Sequence, residues 1–370
     1  MESIEITNCL TTDYIYLPYD NSMKILKKDR EYVYKDEVIL SNEKKKIFST
    51  VSGNILGLTT LNHKKYIVIE NDFKDKTKSK KGTKKFINKY TKEELVKLIN
   101  DYQVLEDFDE SSKVLIINGI DEYIDEITYN TLLQTNTIEI LDTIDALIEI
   151  MNIKKCFLAV SNSNIECINI LINNIGTYPK IDLKLFTHNH TIGKKEIIID
   201  RLTNYRNKKY NIQYLNIIDV LNIYNVLKKQ RPKTTTYITL TGNLINFSKV
   251  LKVNIGTNIC DILKEYKINN KDNIIINCLL NGQRIKDPNF IIDDKVKSIF
   301  INTIEKYKEK KCINCGICTN VCPVNINPKY MYFNKDKKSE DYKKRCINCG
   351  LCSYNCPSKI NLNKGVYNND

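Results

Sequence analysis

Two short runs in this 370-residue sequence have the residue types and spacing of a metal–thiolate site. They are CINCGICTNVCP and CINCGLCSYNCP, and each follows the pattern C-x2-C-x2-C-x3-C-P. Their cysteines are Cys312, Cys315, Cys318 and Cys322 in the first run, and Cys346, Cys349, Cys352 and Cys356 in the second. Thiolates at this spacing bind iron–sulfur clusters, so the chemistry that the pattern predicts is one-electron transfer.

The spacing predicts two [4Fe-4S] clusters that exchange one ligand. Three thiolates separated by two residues can surround one corner of a cubane, and the fourth cysteine of each run ligates the other cluster. We therefore assign Cys312, Cys315, Cys318 and Cys356 to cluster 1, and Cys346, Cys349, Cys352 and Cys322 to cluster 2. Gly316 and Gly350 would let backbone N–H groups approach the cluster sulfurs, while Ile313 and Ile347 would supply apolar cover.

Zinc is the alternative metal, because CxxC pairs also build four-thiolate zinc sites. Zinc would leave the doubled x2 spacing and both Cys-Pro steps without a role, whereas two cubanes use all eight thiolates. The other cysteines are scattered through the sequence, at Cys9, Cys156, Cys167, Cys260 and Cys278. Cys156 and Cys167 lie on apolar faces, where a small buried hydrophobic residue is expected.

The composition predicts a folded protein of several domains. The sequence is 42% hydrophobic with a formal net charge of +13, enough apolar content at this length for more than one core. No apolar run reaches the roughly 20 residues that a membrane-spanning helix needs, and the start lacks a secretory signal, so a cytoplasmic protein is expected. The charge suits an acidic protein or an anionic membrane face. The Lys-rich run Lys74–Lys85 has no interleaved aromatic residue, so no nucleic-acid partner is expected.

Hydrophobic periodicity predicts the elements that carry these motifs. Val114–Asn118 is predicted as a buried strand of a parallel α/β sheet, and Ser52-Gly53 as a hairpin turn. An apolar helical stripe, ended by Gly176, is predicted at Ile165, Ile168, Ile172 and Ile175. The predicted units are a β domain, a Lys-rich linker, an α/β domain, a β-grasp-like domain whose helix is capped by Thr257 or Asn258, and the cysteine-bearing domain, at residues 1–72, 73–91, 92–230, 231–303 and 304–370.

In this order of units, the sequence resembles the RnfC-like family of electron transport complex proteins, which includes the proline-reductase-associated electron transfer proteins. REYVYKDEVIL and FSTVSGNILGL are similar to the family's N-terminal barrel-sandwich hybrid, with Arg30 and Asp36 where glycines are usual. VLIING resembles the Asn-Gly strand of its Rossmann-like flavin-binding fold. RPKTTTYITLTG resembles the entry to its soluble-ligand-binding β-grasp (SLBB) domain, and the cysteine runs imply a C-terminal bacterial dicluster ferredoxin domain.

The sequence departs from this family at the FMN and NADH site. The family has a Gly-rich loop before the Asn-Gly strand, whereas Ile99–Lys113 contains no glycine and five carboxylates, which would repel a phosphate. Lys195 stands where a Glu is expected, and NGQR at Asn281–Arg284 replaces a Gly-Gly-Pro-Met-Met-Gly-like turn. The expected cofactors are therefore two [4Fe-4S] clusters, without FMN or NADH.

The resemblance implies an electron-transfer subunit that works between a soluble carrier, ferredoxin or flavodoxin, and a partner oxidoreductase or membrane complex, docked at the inner face of the cell membrane in the latter case. No catalytic residue is expected, since Asp121, Asp125 and Glu126 are interpreted as a solvated loop. Two alternatives stay open: an NADH:acceptor oxidoreductase subunit with a divergent FMN site, and a non-enzymatic scaffold with structural clusters.

Overall fold

The computed structural model describes residues 5–8, 12–78, 82–203, 211–269, 273–303 and 307–362. Cys9 lies outside these ranges. Across them the chain has mixed α/β architecture with several sheets. None of the helices in this described part is long and apolar enough to cross a bilayer.

The N-terminal strands form two small sheets around one hydrophobic core. The first strands are β1 (Ile6–Asn8), β2 (Tyr14–Tyr19), β3 (Lys24–Ile25), β4 (Tyr32–Val33), β5 (Val38–Ser41), β6 (Lys46–Phe48), β7 (Gly53–Leu61) and β8 (Lys64–Asn71). One sheet has the order β2-β8-β7-β4 and the other β3-β5-β6. Ile15, Ile39 and Ile69 are completely buried between them.

Backbone conformation in this region bears on two sequence expectations. Arg30 and Asp36, where the family usually has glycine, both have left-handed backbone, with φ of 65° and 68°, a region that favours glycine. The predicted hairpin turn at Ser52-Gly53 is wrong. Gly53 begins β7, and the β7–β8 hairpin turns at Asn62 and His63, which both have positive φ.

The described part of the Lys-rich run is held against its neighbours. Lys78 Nζ lies 3.0 Å from a carboxylate oxygen of Glu37, and Lys85 Nζ lies 2.6 Å from one of Glu94. The Lys85 ammonium also sits 4.4 Å from the centre of the Tyr90 ring. These lysines therefore dock the run onto the first β sheets and the helix that follows it.

The central part of the chain is a parallel sheet with helices on both faces. Its elements are α1 (Lys92–Tyr102), β9 (Val114–Asn118), α2 (Thr128–Thr135), α3 (Thr137–Met151), β10 (Lys155–Ser161), α4 (Ile165–Ile175), β11 (Ile181–Phe186), α5 (Lys195–Thr203), β12 (Ile212–Asn216) and α6 (Ile217–Lys229). The strand order is β11-β10-β9-β12, and every pairing is parallel. Leu115, Ile116 and Ile117 are all completely buried, as expected for a strand covered on both faces. The predicted parallel α/β sheet is confirmed.

The carboxyl ends of β9 and β12 form the topological switch point of this sheet, where ligands bind in open α/β folds. The glycine-free segment Ile99–Lys113 ends at the opposite edge: Lys113 N donates to the Asn211 carbonyl at 3.1 Å, and Asp109 N donates to Gln213 Oε1 at 2.8 Å. The lack of glycine in this segment therefore says nothing about the crevice, and the expectation that a phosphate would meet these carboxylates is wrong.

At the switch point, the loops after β9 and before α5 are packed against each other. Asn118 Nδ2 donates to the Gly193 carbonyl at 3.0 Å, and its Oδ1 accepts from Ile120 N at 2.8 Å. A Cβ on Gly193 would lie 2.1 Å from the carbonyl oxygen of Asp121. Gly193 thus permits a backbone-to-backbone approach that closes this end of the sheet.

A fourth sheet has mixed strand directions. Its elements are β13 (Thr235–Thr241), β14 (Lys249–Asn254), α7 (Ile259–Glu265), β15 (Ile274–Ile276), β16 (Gln283–Ile285) and β17 (Ser298–Ile301). The order is β1-β14-β13-β17-β15-β16, with β13 parallel to β17. Asn258 caps α7 by accepting from Cys260 N at 3.0 Å. Sequence reasoning did not anticipate β16, or that β1 would pair with β14 in this sheet.

The last described segment carries four short helices: α8 (Ile317–Asn320), α9 (Pro328–Phe333), α10 (Lys337–Arg345) and α11 (Leu351–Tyr354). Gly316 precedes α8 and Gly350 precedes α11, with left-handed φ of 77° and 80°. The two helices contact each other. The two cysteine runs therefore fold as matching turn–helix units that face one another.

Substitution of Gly193 tests the closure of the switch point. We expect Gly193→Ala to lower the free energy of unfolding by about 1–3 kcal/mol, because the added methyl group would clash with backbone atoms that can move only if the packed loops shift. Gly176→Ala is the matched control, since its Cβ would meet nothing within 4 Å and its backbone is right-handed helical. Urea unfolding followed by circular dichroism measures both. Equal effects of the two substitutions would contradict the packing described here.

Candidate iron–sulfur centres

The eight cysteines of the two runs surround two small cavities. Cys312, Cys315, Cys318 and Cys356 line one, and Cys322, Cys346, Cys349 and Cys352 line the other. These are the two sets that the spacing predicts, including the exchange of the fourth cysteine. In the described ranges, no three His, Cys, Asp or Glu side chains meet closely enough to hold a single metal ion.

The donor set of each cavity suits an iron–sulfur cluster. Four thiol groups are accompanied by apolar side chains, among them Ile360 and Leu362 in the first cavity and Ile326 and Met331 in the second. Thiolate donors in an apolar, largely water-free shell are the environment in which such clusters are held and tuned.

The local backbone explains how three cysteines of each run reach one cavity. Asn314 and Asn348 have left-handed φ of 60° and 48°, and the glycine two residues later is also left-handed. Two left-handed residues so close together turn the chain around the cavity before the short helix begins. That helix then carries the fourth cysteine of the run to the other cavity.

The second run is covered by the rest of the chain. A Cβ on Gly350 would lie 2.8 Å from Leu280 Cβ, and Asn281 Nδ2 donates a hydrogen bond to the Asn348 carbonyl. Ile347 packs against the hydrophobic cluster that contains Ile198 of α5. The NGQR turn, which the sequence shows only as a departure from the family, therefore supports the inner cysteine motif directly.

Residues of the second cysteine run are also more buried than those of the first. Cys352 is buried, and burial raises the pKa of its thiol to about 12. Burial also raises the pKa of Cys346 and Cys349. Around the first cavity, Cys315 is exposed, the side chain of Ile313 is 65% exposed, and a Cβ on Gly316 would meet nothing within 4 Å. Two nearly identical motifs thus have one inner and one outer environment.

A groove separates α5 from the inner cysteine run, and Lys195, Glu196, Arg345 and Ile347 are among the residues that line it. The Lys195 ammonium sits 5.3 Å from the centre of the Tyr214 ring, and Arg345 donates to the Val324 carbonyl at 3.2 Å. The lysine that replaces the family's expected Glu therefore lies between the parallel sheet and the inner cavity.

The interpretation of Asp121, Asp125 and Glu126 as a solvated loop is wrong for two of the three. Asp121 accepts from Tyr129 N at 2.6 Å and so caps α2, while Glu126 is buried and accepts from Glu122 N at 3.0 Å. Desolvation raises the pKa of Asp121 to about 7. Desolvation, with the charge of Asp121, also raises the pKa of Glu126. Asp125 alone is exposed.

Comparison with known proteins agrees with this geometry. Residues 311–360 match the family model described as a 4Fe-4S dicluster domain. The chain is 27% identical over 231 residues to the C subunit of the ion-translocating oxidoreductase complex of Buchnera aphidicola subsp. Baizongia pistaciae (strain Bp), an alignment that covers 59% of this chain and 46% of that protein. The chain is RnfC-like, with a 4Fe-4S dicluster domain.

Other relatives carry the same description. The corresponding protein of Buchnera aphidicola subsp. Acyrthosiphon pisum (strain APS) is 28% identical over 294 residues, covering 72% of the RnfC-like chain and 62% of the relative. That of Haemophilus influenzae (strain ATCC 51907 / DSM 11121 / KW20 / Rd) is 26% identical over 248 residues, with coverage of 62% and 30%. The RnfC-like chain thus spans between 30% and 62% of the length of these relatives.

Among solved structures, part of the RnfC-like chain is similar to a chain of NAD+-reducing [NiFe]-hydrogenase in the air-oxidized state. The TM-score is 0.42 at 10% identity, and the match covers 54% of this chain and 41% of that one.

Paired substitutions of Gly316 and Gly350 test the inner and outer environments. Alanine at either position costs about 1–2 kcal/mol of unfolding free energy, because both residues are left-handed. We expect Gly350→Ala to cost about 1–3 kcal/mol more, since its methyl also meets Leu280. Anaerobic urea unfolding gives both values. Equal losses would show that the second run is not held against the fourth sheet.

Proposed function

We propose that this RnfC-like chain is an iron–sulfur electron-transfer subunit, which relays single electrons through two [4Fe-4S] clusters between a soluble carrier, ferredoxin or flavodoxin, and a partner oxidoreductase or membrane complex. One observation carries the proposal: each of two adjacent cavities is lined by four cysteines, and the first cysteine run is exposed at Ile313 and Cys315 while the second packs against the rest of the chain. That arrangement is what a relay with separate entry and exit requires.

In this proposal, Cys312, Cys315, Cys318 and Cys356 hold cluster 1, and Cys346, Cys349, Cys352 and Cys322 hold cluster 2. A bound [4Fe-4S] cluster supplies reversible one-electron chemistry. The protein supplies thiolate ligands, apolar side chains that keep water away, and backbone N–H groups at the glycine turns. No side chain is proposed to act as a general acid, base or nucleophile, so the chain carries electrons without transforming a substrate itself.

The finer domain assignments are also proposals, and strand order supports each. The order β14-β13-β17-β15-β16 with a helix after the second strand supports an SLBB-like β-grasp at residues 231–303. The order β11-β10-β9-β12 supports a Rossmann-like domain at residues 92–230. The two facing N-terminal sheets support a barrel-sandwich hybrid within residues 1–72, apart from β1, with residues 73–91 as a docked linker and 304–370 as a dicluster ferredoxin domain.

We propose that neither FMN nor NADH binds this chain. The support comes from the switch point, where the loops after β9 and before α5 are closed on each other by Asn118 and Gly193. The N–H of Tyr129 at the start of α2, where an anion would be favoured, already donates to the Asp121 carboxylate. An anionic ligand would have to displace that carboxylate.

The proposed partners and location follow from the relatives. They are described as subunits of ion-translocating oxidoreductase complexes, so we propose that this chain also works with other subunits, in the cytoplasm or at the inner face of the cell membrane. The net charge of +13 suits both an acidic carrier and an anionic membrane surface.

The ligand assignment is tested by paired alanine variants. We expect about eight irons per chain in the anaerobic parent protein, and about four in either Cys356→Ala or Cys322→Ala. If the fourth cysteines are exchanged, Cys356→Ala exposes Cys312, Cys315 and Cys318 to iodoacetamide, while Cys346, Cys349 and Cys352 stay protected; Cys322→Ala gives the reverse. Peptide mass spectrometry reads the pattern.

Cys260→Ala is the control for these variants and should keep the parent's iron content. Alkylation confined to the mutated run itself would refute the exchange. A colourless anaerobic protein that contains zinc in place of iron would refute both the clusters and the proposed function.

Titration with FMN and NADH tests the closed switch point. We expect no saturable binding of either nucleotide below millimolar concentration, because Asp121 already accepts from the N–H at the start of α2 and Asn118 holds the two loops of the switch point together. Flavin fluorescence and calorimetry measure this. Micromolar affinity for either, or FMN in the purified protein, would favour the alternative of an NADH:acceptor oxidoreductase subunit.

A further inference from the structure

The two CINCG motifs form an internal comparison, because the same five residues fold to similar turns in different surroundings. In the second motif, Ile347 packs against the hydrophobic cluster around Ile198, and Gly350 lies against Leu280. In the first motif, Ile313 is 65% exposed and Gly316 has no neighbour that a Cβ would reach. Other parts of the chain thus cover the second motif, whereas the equivalent surface of the first motif is exposed to solvent.

Several lysines lie near the exposed first motif. Lys310 N donates to the Ser358 carbonyl at 2.9 Å, and Ser358 Oγ donates to the Lys311 carbonyl at 2.9 Å. Ser358 itself lines the first cavity, as does Lys329. The backbone of Lys310 and Lys311 is thereby held beside a residue of this cavity, and the side chains of both lysines are exposed.

The charge of the whole segment has the same sign. Residues 307–362 contain eleven Lys and Arg and four Asp and Glu. Exposed Ile313 and Ile317 lie in the first cysteine run, between Lys311 and Lys329 in the sequence. We name the surface formed by Lys310, Lys311, Ile313, Ile317 and Lys329 the cluster 1 face.

Protein interfaces usually have an apolar centre surrounded by a polar rim. Weak redox encounters bury little area, and charge complementarity then controls how fast the partners associate. A cationic rim selects an anionic partner. The thiols behind Ile313 belong to the outer cavity, so a partner seated here would lie next to the redox site that the chain itself leaves uncovered.

We infer that the cluster 1 face is the docking surface for a small acidic electron-carrier protein. The inference rests on the proposed relay function and names the point at which the carrier meets it. In each encounter the carrier loses one electron and the dicluster domain gains one, or the reverse, and no bond or proton transfer is needed.

The test uses the full chain with its iron–sulfur clusters, prepared anaerobically, and a small acidic 2[4Fe-4S] ferredoxin as the probe. We expect the double variant Lys310→Glu/Lys311→Glu to weaken equilibrium binding, and to slow the second-order reduction of the chain, by about tenfold or more at low ionic strength. The parent should lose most of this advantage in high salt, because the rim charges are exposed.

Lys154→Glu/Lys155→Glu is the matched control. Lys154 and Lys155 are also an adjacent exposed pair, and the change in net charge is the same, but they lie beside β10 in the parallel sheet. We expect the control to stay within about twofold of the parent. An equal loss in both variants would mean that the ferredoxin responds only to overall charge, and would overturn the docking surface.

Ile313→Gln tests the apolar centre separately. Ile313 is mostly exposed but also lines the first cavity, so Ile313→Gln is compared with the parent at equal iron content and equal reduction by dithionite. We expect its binding of the ferredoxin to be weakened at both low and high salt. Iron content and dithionite reduction also show whether each lysine variant keeps its clusters. If a lysine variant loses them, the binding of Ile313→Gln tests the docking surface instead.

The outcomes separate this inference from the proposed function. Two results obtained with reducible clusters in the parent would overturn the docking surface and leave the relay intact. In one, the ferredoxin binds Ile313→Gln and Lys310→Glu/Lys311→Glu as tightly as it binds the parent. In the other, it does not bind the parent at all. A preference of this face for anionic vesicles over the ferredoxin would also overturn it. A parent without reversibly reducible clusters refutes the relay itself.

Discussion

The pairing of the two cysteine runs, in which the fourth cysteine of each run lines the cavity of the other, is the constraint on which this segment depends. Each cavity takes three cysteines from one turn–helix unit and one from the other. Neither unit can complete a site alone, so the units must face each other and α8 must contact α11. The short helices are too small to be stable in isolation. The proposed clusters would therefore fix a segment that has little hydrophobic core of its own, which is how metal binding stabilises small domains.

The same constraint makes the two sites different in kind. Once the units are paired, only one of them can lie against the rest of the chain, and the other must face outward. The second run is the covered one, because the turn around Leu280 and Asn281 and the hydrophobic cluster at α5 reach it. A symmetric sequence repeat is thereby converted into an inner and an outer environment, and that asymmetry gives the proposed relay two different sides.

At the switch point of the parallel sheet, the chain's own loops pack against one another. Gly193 allows backbone to approach backbone, Asn118 bridges the two loops, and Asp121 supplies the anion at the start of α2. Burial of Asp121 and Glu126 is costly for charged groups. Both carboxylates are held by backbone N–H groups in return. The glycine-free segment Ile99–Lys113 could not reveal this closure, because it lies at the opposite edge of the sheet. The sequence of the segment alone does not show which edge it reaches.

What the sequence by itself determined was local chemistry and local periodicity. The cysteine spacing predicted both four-thiol sets, Asn258 was named as a helix cap, and Val114–Asn118 is β9 residue for residue. α4 ends at Ile175 before Gly176 as predicted, yet Ile165 and Ile172 of its apolar stripe are 71% and 55% exposed, while Cys167 and Leu171 are buried. Periodicity places residues on one face, but the neighbouring elements decide which face is covered. Long-range packing also decided the pairing of β1 with β14, the burial of Glu126, and the different surroundings of Ile313 and Ile347. Each of these depends on contacts between residues far apart in the chain, which no local pattern contains.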